Sequence, residues 1–103
     1  MNEPIKIRAR MKGDSAEIRL LIPHPMESGQ RKNASGQLIP ARFIQTLTVD
    51  VAGRRVVDAQ LSGSVSRDPY FVFRVEKVGA GDTVTVRWQD NTGETGEGSA
   101  PIL

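Results

Sequence analysis

At 103 residues and a formal net charge of +2, the chain has the length of one ordinary domain, enough to bury roughly two-thirds of the surface its unfolded form exposes. It contains no cysteine, which excludes a disulfide framework, a thiolate metal site, an iron–sulfur cluster and a cysteine nucleophile. Acids and bases are mixed along it, and one tryptophan, one tyrosine and three phenylalanines are too few for a base-stacking platform, so no nucleic-acid partner is expected.

The opening residues alternate. Ile5, Ile7, Ala9 and Met11 interleave with Lys6, Arg8, Arg10 and Lys12, the pattern of a half-buried strand with a charged outer face. "KGDS", Lys12 to Ser15, reads as a turn. Ile18, Leu20 and Ile22 then alternate with Glu17, Arg19 and Leu21 to complete a first hairpin. A polar segment follows from Pro23 to about Pro40, a long loop at about 23–41. It holds three of the six prolines and the only histidine. In the third strand Phe43, Gln45, Leu47, Val49 and Val51 are expected on one face, with Ile44, Thr46, Thr48 and Asp50 on the other. "AGRR" turns the chain into a strand over Val56–Leu61.

After "SGSVSRDP", the stretch Tyr70–Val78 is rich in the aromatic and β-branched residues of strands, with Tyr70 opposite Phe71 and Phe73. "GAGD" leads into Thr83–Gln89, where Val84, Val86 and Trp88 share a face. "DNTG", Asp90 to Gly93, has the chemistry of a hairpin turn, and the closing "GEGSAPIL" reads as partly tail. No window supports an ordinary helix. The expectation is one domain over 1–103, all-β, an immunoglobulin-like antiparallel β-sandwich of about seven strands. No apolar run is long enough to cross a bilayer, so no membrane partner is expected. The N-terminus lacks an apolar h-region and a small-residue cleavage site, so the chain is expected to carry no export signal of its own.

Little of the chemistry-bearing repertoire is present. His24 is the one imidazole, so a Ser-His-Asp triad or a histidine metal site would have to use it. Set between Pro23 and Pro25 in a loop, it lacks the convergent groups such sites need. "DNTGE" lacks the alternating ligands and terminal glutamate of a calcium loop, and "GAGD" opens no helix that could cradle a phosphate. No catalytic residue, metal or cofactor is therefore expected, and the chain is read as a non-enzyme. The two prolines pre-set an extended path around His24. Met26 is open to two readings: an adaptable contact residue, or a plug over the sandwich end. Loops of this length in compact domains tend to be functional or disordered.

"HPMESG" from His24 and "IPARFIQ" from Ile39, with "PIKIRAR" at the start, "SVSRDPYFVF" from Ser64 and "VTVRWQDNTGE" from Val84, resemble the SoxZ family of sulfur-oxidation proteins over nearly the whole chain. The resemblance implies an immunoglobulin-like subunit that pairs with a second subunit, SoxY. That pair is a periplasmic carrier for thiosulfate oxidation, with sulfur intermediates on a cysteine in the C-terminal arm of SoxY. A c-type cytochrome, a hydrolase and a sulfane dehydrogenase visit it in turn. It further implies export of the folded pair on the partner's signal. Candidate partner-binding residues are His24, Pro25, Met26, Arg42, Phe43, Tyr70 and Phe71. The competing reading is an autonomous immunoglobulin-like binding module with another protein partner; an enzyme centred on His24 ranks last.

Overall fold

The computed structural model describes residues 3–103. Seven strands form two antiparallel sheets, and no helix occurs among the described residues. Strands β1 (Lys6–Lys12), β2 (Ser15–Leu21) and β5 (Tyr70–Glu76) make one sheet in the order β1-β2-β5. Strands β3 (Ile44–Val51), β4 (Arg54–Gln60), β6 (Thr83–Asp90) and β7 (Thr95–Pro101) make the other, in the order β4-β3-β6-β7. The chain crosses between sheets after β2, β4 and β5, the connectivity of an immunoglobulin-like sandwich.

Alternation explains the core. Ile18 and Leu20 from one sheet meet Leu47, Val49, Val51, Val84, Val86 and Trp88 from the other, all buried. Each such aliphatic side chain contributes about 1.5–3 kcal/mol by leaving water. The third strand departs from strict alternation. The β3–β6 register shifts between Ile44 and Thr46, a bulge that turns Ile44 inward beside Leu47, with no exposed surface, and leaves Phe43 half-buried. An extra residue in one strand reverses the faces on one side of it, which period-two reading cannot foresee.

The C-terminal residues are also not a tail. β7 pairs with β6 from Thr95 to Pro101, and Ile102 behind it is buried in the core. Its glycines hid it. A Cβ on Gly96 would lie 2.2 Å from the Trp88 indole nitrogen, and one on Gly98 would lie 3.3 Å from Ile5 Cβ. These positions are small because core side chains lie across them, so the strand carries no apolar alternation to read.

The two sides of the sandwich differ. On one, the Met11 N–H donates to the Leu103 carbonyl and the Leu103 N–H to the Ala9 carbonyl, covering the edge of β1. On the other, β4 and β5 are both sheet edges, and the Arg54 guanidinium reaches across to the carbonyls of Glu76 and Lys77. Val57, Ala59, Leu61, Phe71 and Phe73 stay half-buried along this open side, with the Phe71 and Phe73 rings stacked at 5.9 Å.

Candidate functional site

The loop leaves the end of β2 through an anchor. The Ile22 N–H donates to the Pro69 carbonyl, extending the β2–β5 pairing by one step. The His24 N–H then donates to Asp68 Oδ1 at 3.0 Å, and the Asp68 N–H returns a bond to the His24 carbonyl. Pro23 and Pro25 fix φ on either side and donate nothing, so the backbone bonds of this turn converge on His24 alone.

The imidazole points inward and is 3% exposed. Its Nδ1 accepts the Met26 N–H at 3.0 Å, so the ring proton sits on Nε2, which donates to Asp90 Oδ2 at 3.0 Å. The ring meets Trp88 edge-on at 5.1 Å, a favoured aromatic geometry. Met26 itself holds the left-handed backbone conformation, φ 48°. Its sulfur accepts the Ile44 N–H at 3.4 Å.

Asp90, the last residue of β6, is 1% exposed and fully engaged. Oδ1 accepts the Thr92 N–H, the Thr92 hydroxyl and the Glu94 N–H, while Oδ2 accepts from His24 and from Arg42 Nε at 3.3 Å. Burial alone would raise this carboxyl's pKa. The hydrogen bonds from Thr92, His24 and Arg42 outweigh it and bring the value down to about 2. Arg42 also pairs with Glu94. Asn91 takes the Phe43 N–H on its side-chain oxygen and gives its own N–H to the Phe43 carbonyl.

Beyond this anchor the loop folds back as an arm. Glu27 and Arg42 exchange both backbone hydrogen bonds, Lys32 bridges Leu38, and Asn33 Oδ1 caps the tip by accepting the Ser35 and Gln37 N–H groups. The polar middle of the loop is thus a small hairpin with exposed side chains, Leu38 among them at 60%.

The seven sequence-predicted contact residues gather at one end of the sandwich but not on one surface. His24 and Met26 lie inside, where the plug reading of Met26 puts it. Pro25 is exposed; Arg42 and Phe43 are half-buried against the Asp90–Glu94 turn. Tyr70, 55% exposed, stands on the outer face of β5 opposite Leu21, and Phe71 faces the open side. Sequence reading missed Asp68 and Asp90, the two carboxylates that fix His24. The "DNTG" turn signal marked Asp90 as a turn former, but nothing local pairs it with a residue 66 positions earlier.

Chemically the site is closed. Both imidazole nitrogens are committed to protein partners, so neither is free to take a proton from a substrate. Among the described residues no group of three or more His, Cys, Asp or Glu could hold a metal.

The sequence matches the profile of the family described as "Sulphur oxidation protein SoxZ" over residues 5–101. The chain belongs to that family, which places it in sulfur oxidation. A search of the curated proteins found no match. Among solved structures the fold resembles a hypothetical protein, PH1083, from Pyrococcus horikoshii OT3. The TM-score is 0.68 at 14% identity, over 99% of this chain and 89% of that one; at that identity the likeness is one of fold.

Proposed function

We propose that the chain is the non-catalytic subunit of a SoxYZ sulfur-carrier heterodimer in periplasmic thiosulfate oxidation. In this reading it scaffolds a SoxY chain whose C-terminal-arm cysteine carries the sulfur intermediates, and it leaves the cell interior folded with that partner. The family match over residues 5–101 carries the reading. The absence of cysteine suits it: a scaffold without a thiol cannot trap the carrier arm as a mixed disulfide. The closed His24–Asp90 pair suits it as well, because the one imidazole serves to hold a loop.

The open β4–β5 side, with its half-buried Val57, Ala59, Leu61, Phe71 and Phe73, is the surface we assign to the permanent partner. Obligate interfaces are the more apolar ones, and two neighbouring uncovered edges are a liability that a lasting partner would remove. Pro25, Arg42 and Phe43 sit at the end of the sandwich next to it and extend that contact, while Tyr70 faces away from it on the outer face of β5.

Co-expression with the cysteine-bearing chain, followed by size-exclusion chromatography with mass determination, tests the reading. A stable one-to-one complex is expected. A monomer indifferent to that chain would leave an autonomous binding module with a different partner.

A further inference from the structure

The two outer sheet faces treat charge differently. On the β4-β3-β6-β7 face, Arg55 pairs with Asp50 and Asp58, and Arg87 with Asp50 and Glu97. On the β1-β2-β5 face, Lys6, Arg8, Arg10, Lys12, Arg19 and Arg74 stand against only Glu17 and Glu76. Glu17 takes Lys12 and Arg19. Lys6, Arg8, Arg10 and Arg74 form no ion pair among the described residues, and Arg8 lies directly across from Arg19. Like charges directly opposed on a sheet are destabilising. This face carries more net positive charge than the whole chain does.

The rest of the face is apolar. Tyr70 and Val72 are 55% and 51% exposed. Leu21 lies opposite Tyr70, and Arg19 opposite Val72. At the other edge of the sheet a shallow groove of about 680 Å³ runs along β1, lined by Arg8, Arg10, Arg19, Ala100, Pro101 and Leu103 among others. Tyr and Arg are enriched in protein interfaces. With Tyr70 its one exposed aromatic ring, the face offers no stacking series for nucleic acid. Its guanidiniums spread over a flat sheet and do not converge as a small-anion site would require.

We propose that the outer face of the β1-β2-β5 sheet docks an acidic surface of a protein that visits the chain transiently, with Leu21, Tyr70 and Val72 as the apolar centre and the arginines as its rim. Charge of this density suits encounter and steering; a permanent interface depletes charge at its core. The choice of visitors to test rests on the carrier reading; the assignment of the face does not.

The experiment compares heterodimers built with the wild-type chain and with Arg8→Glu/Arg10→Glu/Arg74→Glu. Association of the cytochrome, the hydrolase and the sulfane dehydrogenase is followed from low to above-physiological salt. At least one of the three is expected to associate about tenfold more slowly with the variant at low salt, with the difference shrinking as salt rises. The neutral Arg8→Gln/Arg10→Gln/Arg74→Gln variant is expected in between. All three residues are exposed. Arg8→Glu faces Arg19, but Arg10→Glu and Arg74→Glu each face Glu17, so the glutamate variant is expected to melt somewhat lower and the glutamine variant to stay close to the wild type. Equal rates for all three visitors would overturn the proposal. So would loss of the heterodimer in the variant, or variant-sensitive capture by phosphatidylglycerol vesicles at physiological salt. Formation of the wild-type heterodimer reports separately on the carrier reading, and if none forms the same comparison is made with the chain alone.

Discussion

His24 and Asp90 lie 66 residues apart in sequence and 3.0 Å apart in the interior, the imidazole donating to a carboxylate that already accepts from Thr92, Glu94 and Arg42. One bond ties the start of the long loop to the β6–β7 turn. With Asp68 clamping the same residue's backbone, the loop leaves the sandwich in a fixed direction.

Removing either partner strands the other. His24→Ala takes a donor from a buried carboxylate and opens a cavity beside Trp88. Asp90→Asn weakens every bond its oxygens accept and sets an amide N–H₂ against donors. Each is expected to cost about 3 kcal/mol, with a coupling above about 1 kcal/mol in the double mutant. Urea titration of the four proteins measures it. Additive losses would mean that the pair is only two separately packed residues.

Acid should reach the same anchor. The Asp90 carboxyl titrates at about 2 when folded, against 3.8 ordinarily. The folded-state pKa is depressed, so the stabilisation is fully present above pH 3.8 and is lost as pH falls through about 2. It amounts to about 2 kcal/mol. The wild-type melting temperature should therefore drop across that window by more than that of Asp90→Asn. Parallel curves for the two proteins would show that other carboxylates govern the acid limb.

Much of the fold was legible because six of the seven strands carry apolar alternation or turn chemistry at their ends. What escaped has physical reasons. The bulge before Thr46 reverses Ile44 and Phe43 through one inserted residue, which side-chain pattern does not encode. β7 is written in Gly96, Gly98 and Ala100, small because other residues fill the space above them. At the candidate site, the proline bracket and the single histidine marked the loop as unusual. The carboxylates that explain it come from distant turns, and only the tertiary fold brings them together.

Gly96 makes that lesson testable. Its Cβ would meet Trp88 Nε1 at 2.2 Å and Cζ2 at 2.7 Å, atoms of a rigid ring packed against His24. Gly96→Ala is expected to cost about 1–3 kcal/mol by overpacking and to shift the emission of the sole tryptophan. Gly79→Ala, also without a positive φ but with open space around its Cβ, serves as the comparison without overpacking. Unchanged emission and stability in Gly96→Ala would mean that β7 is not held against the indole.

Ile102 tests the C-terminal end in the same spirit. It is 2% exposed within the core cluster, and the residue after it caps the β1 edge through Met11 and Ala9. Ile102→Ala is expected to lose about 2–4 kcal/mol. Hydrogen exchange at the Met11 amide should quicken by more than exchange at the Leu47 amide, because loosening starts at the edge. Equal acceleration at both sites would indicate that the end residues unfold only with the whole domain.

The arm separates structure from recognition. Its tip, from Lys32 to Leu38, is exposed and closed on itself by the Lys32–Leu38 bridge and the Asn33 cap. Nothing in the core leans on it. Replacing residues 32–38 with a short Gly-Ser turn keeps the Glu27–Arg42 pairing and the His24 anchor, so stability should change by less than about 0.5 kcal/mol. If the arm is a recognition element of the carrier, the shortened protein should remain as stable as the wild type while its complex with the cysteine-bearing chain dissociates faster or thiosulfate-dependent turnover falls. Intact complex and turnover would make the arm dispensable and leave recognition to the open β4–β5 side and the rigid end around Pro25, Arg42 and Phe43. A loss of several kcal/mol would show instead that the hairpin supports the fold it projects from.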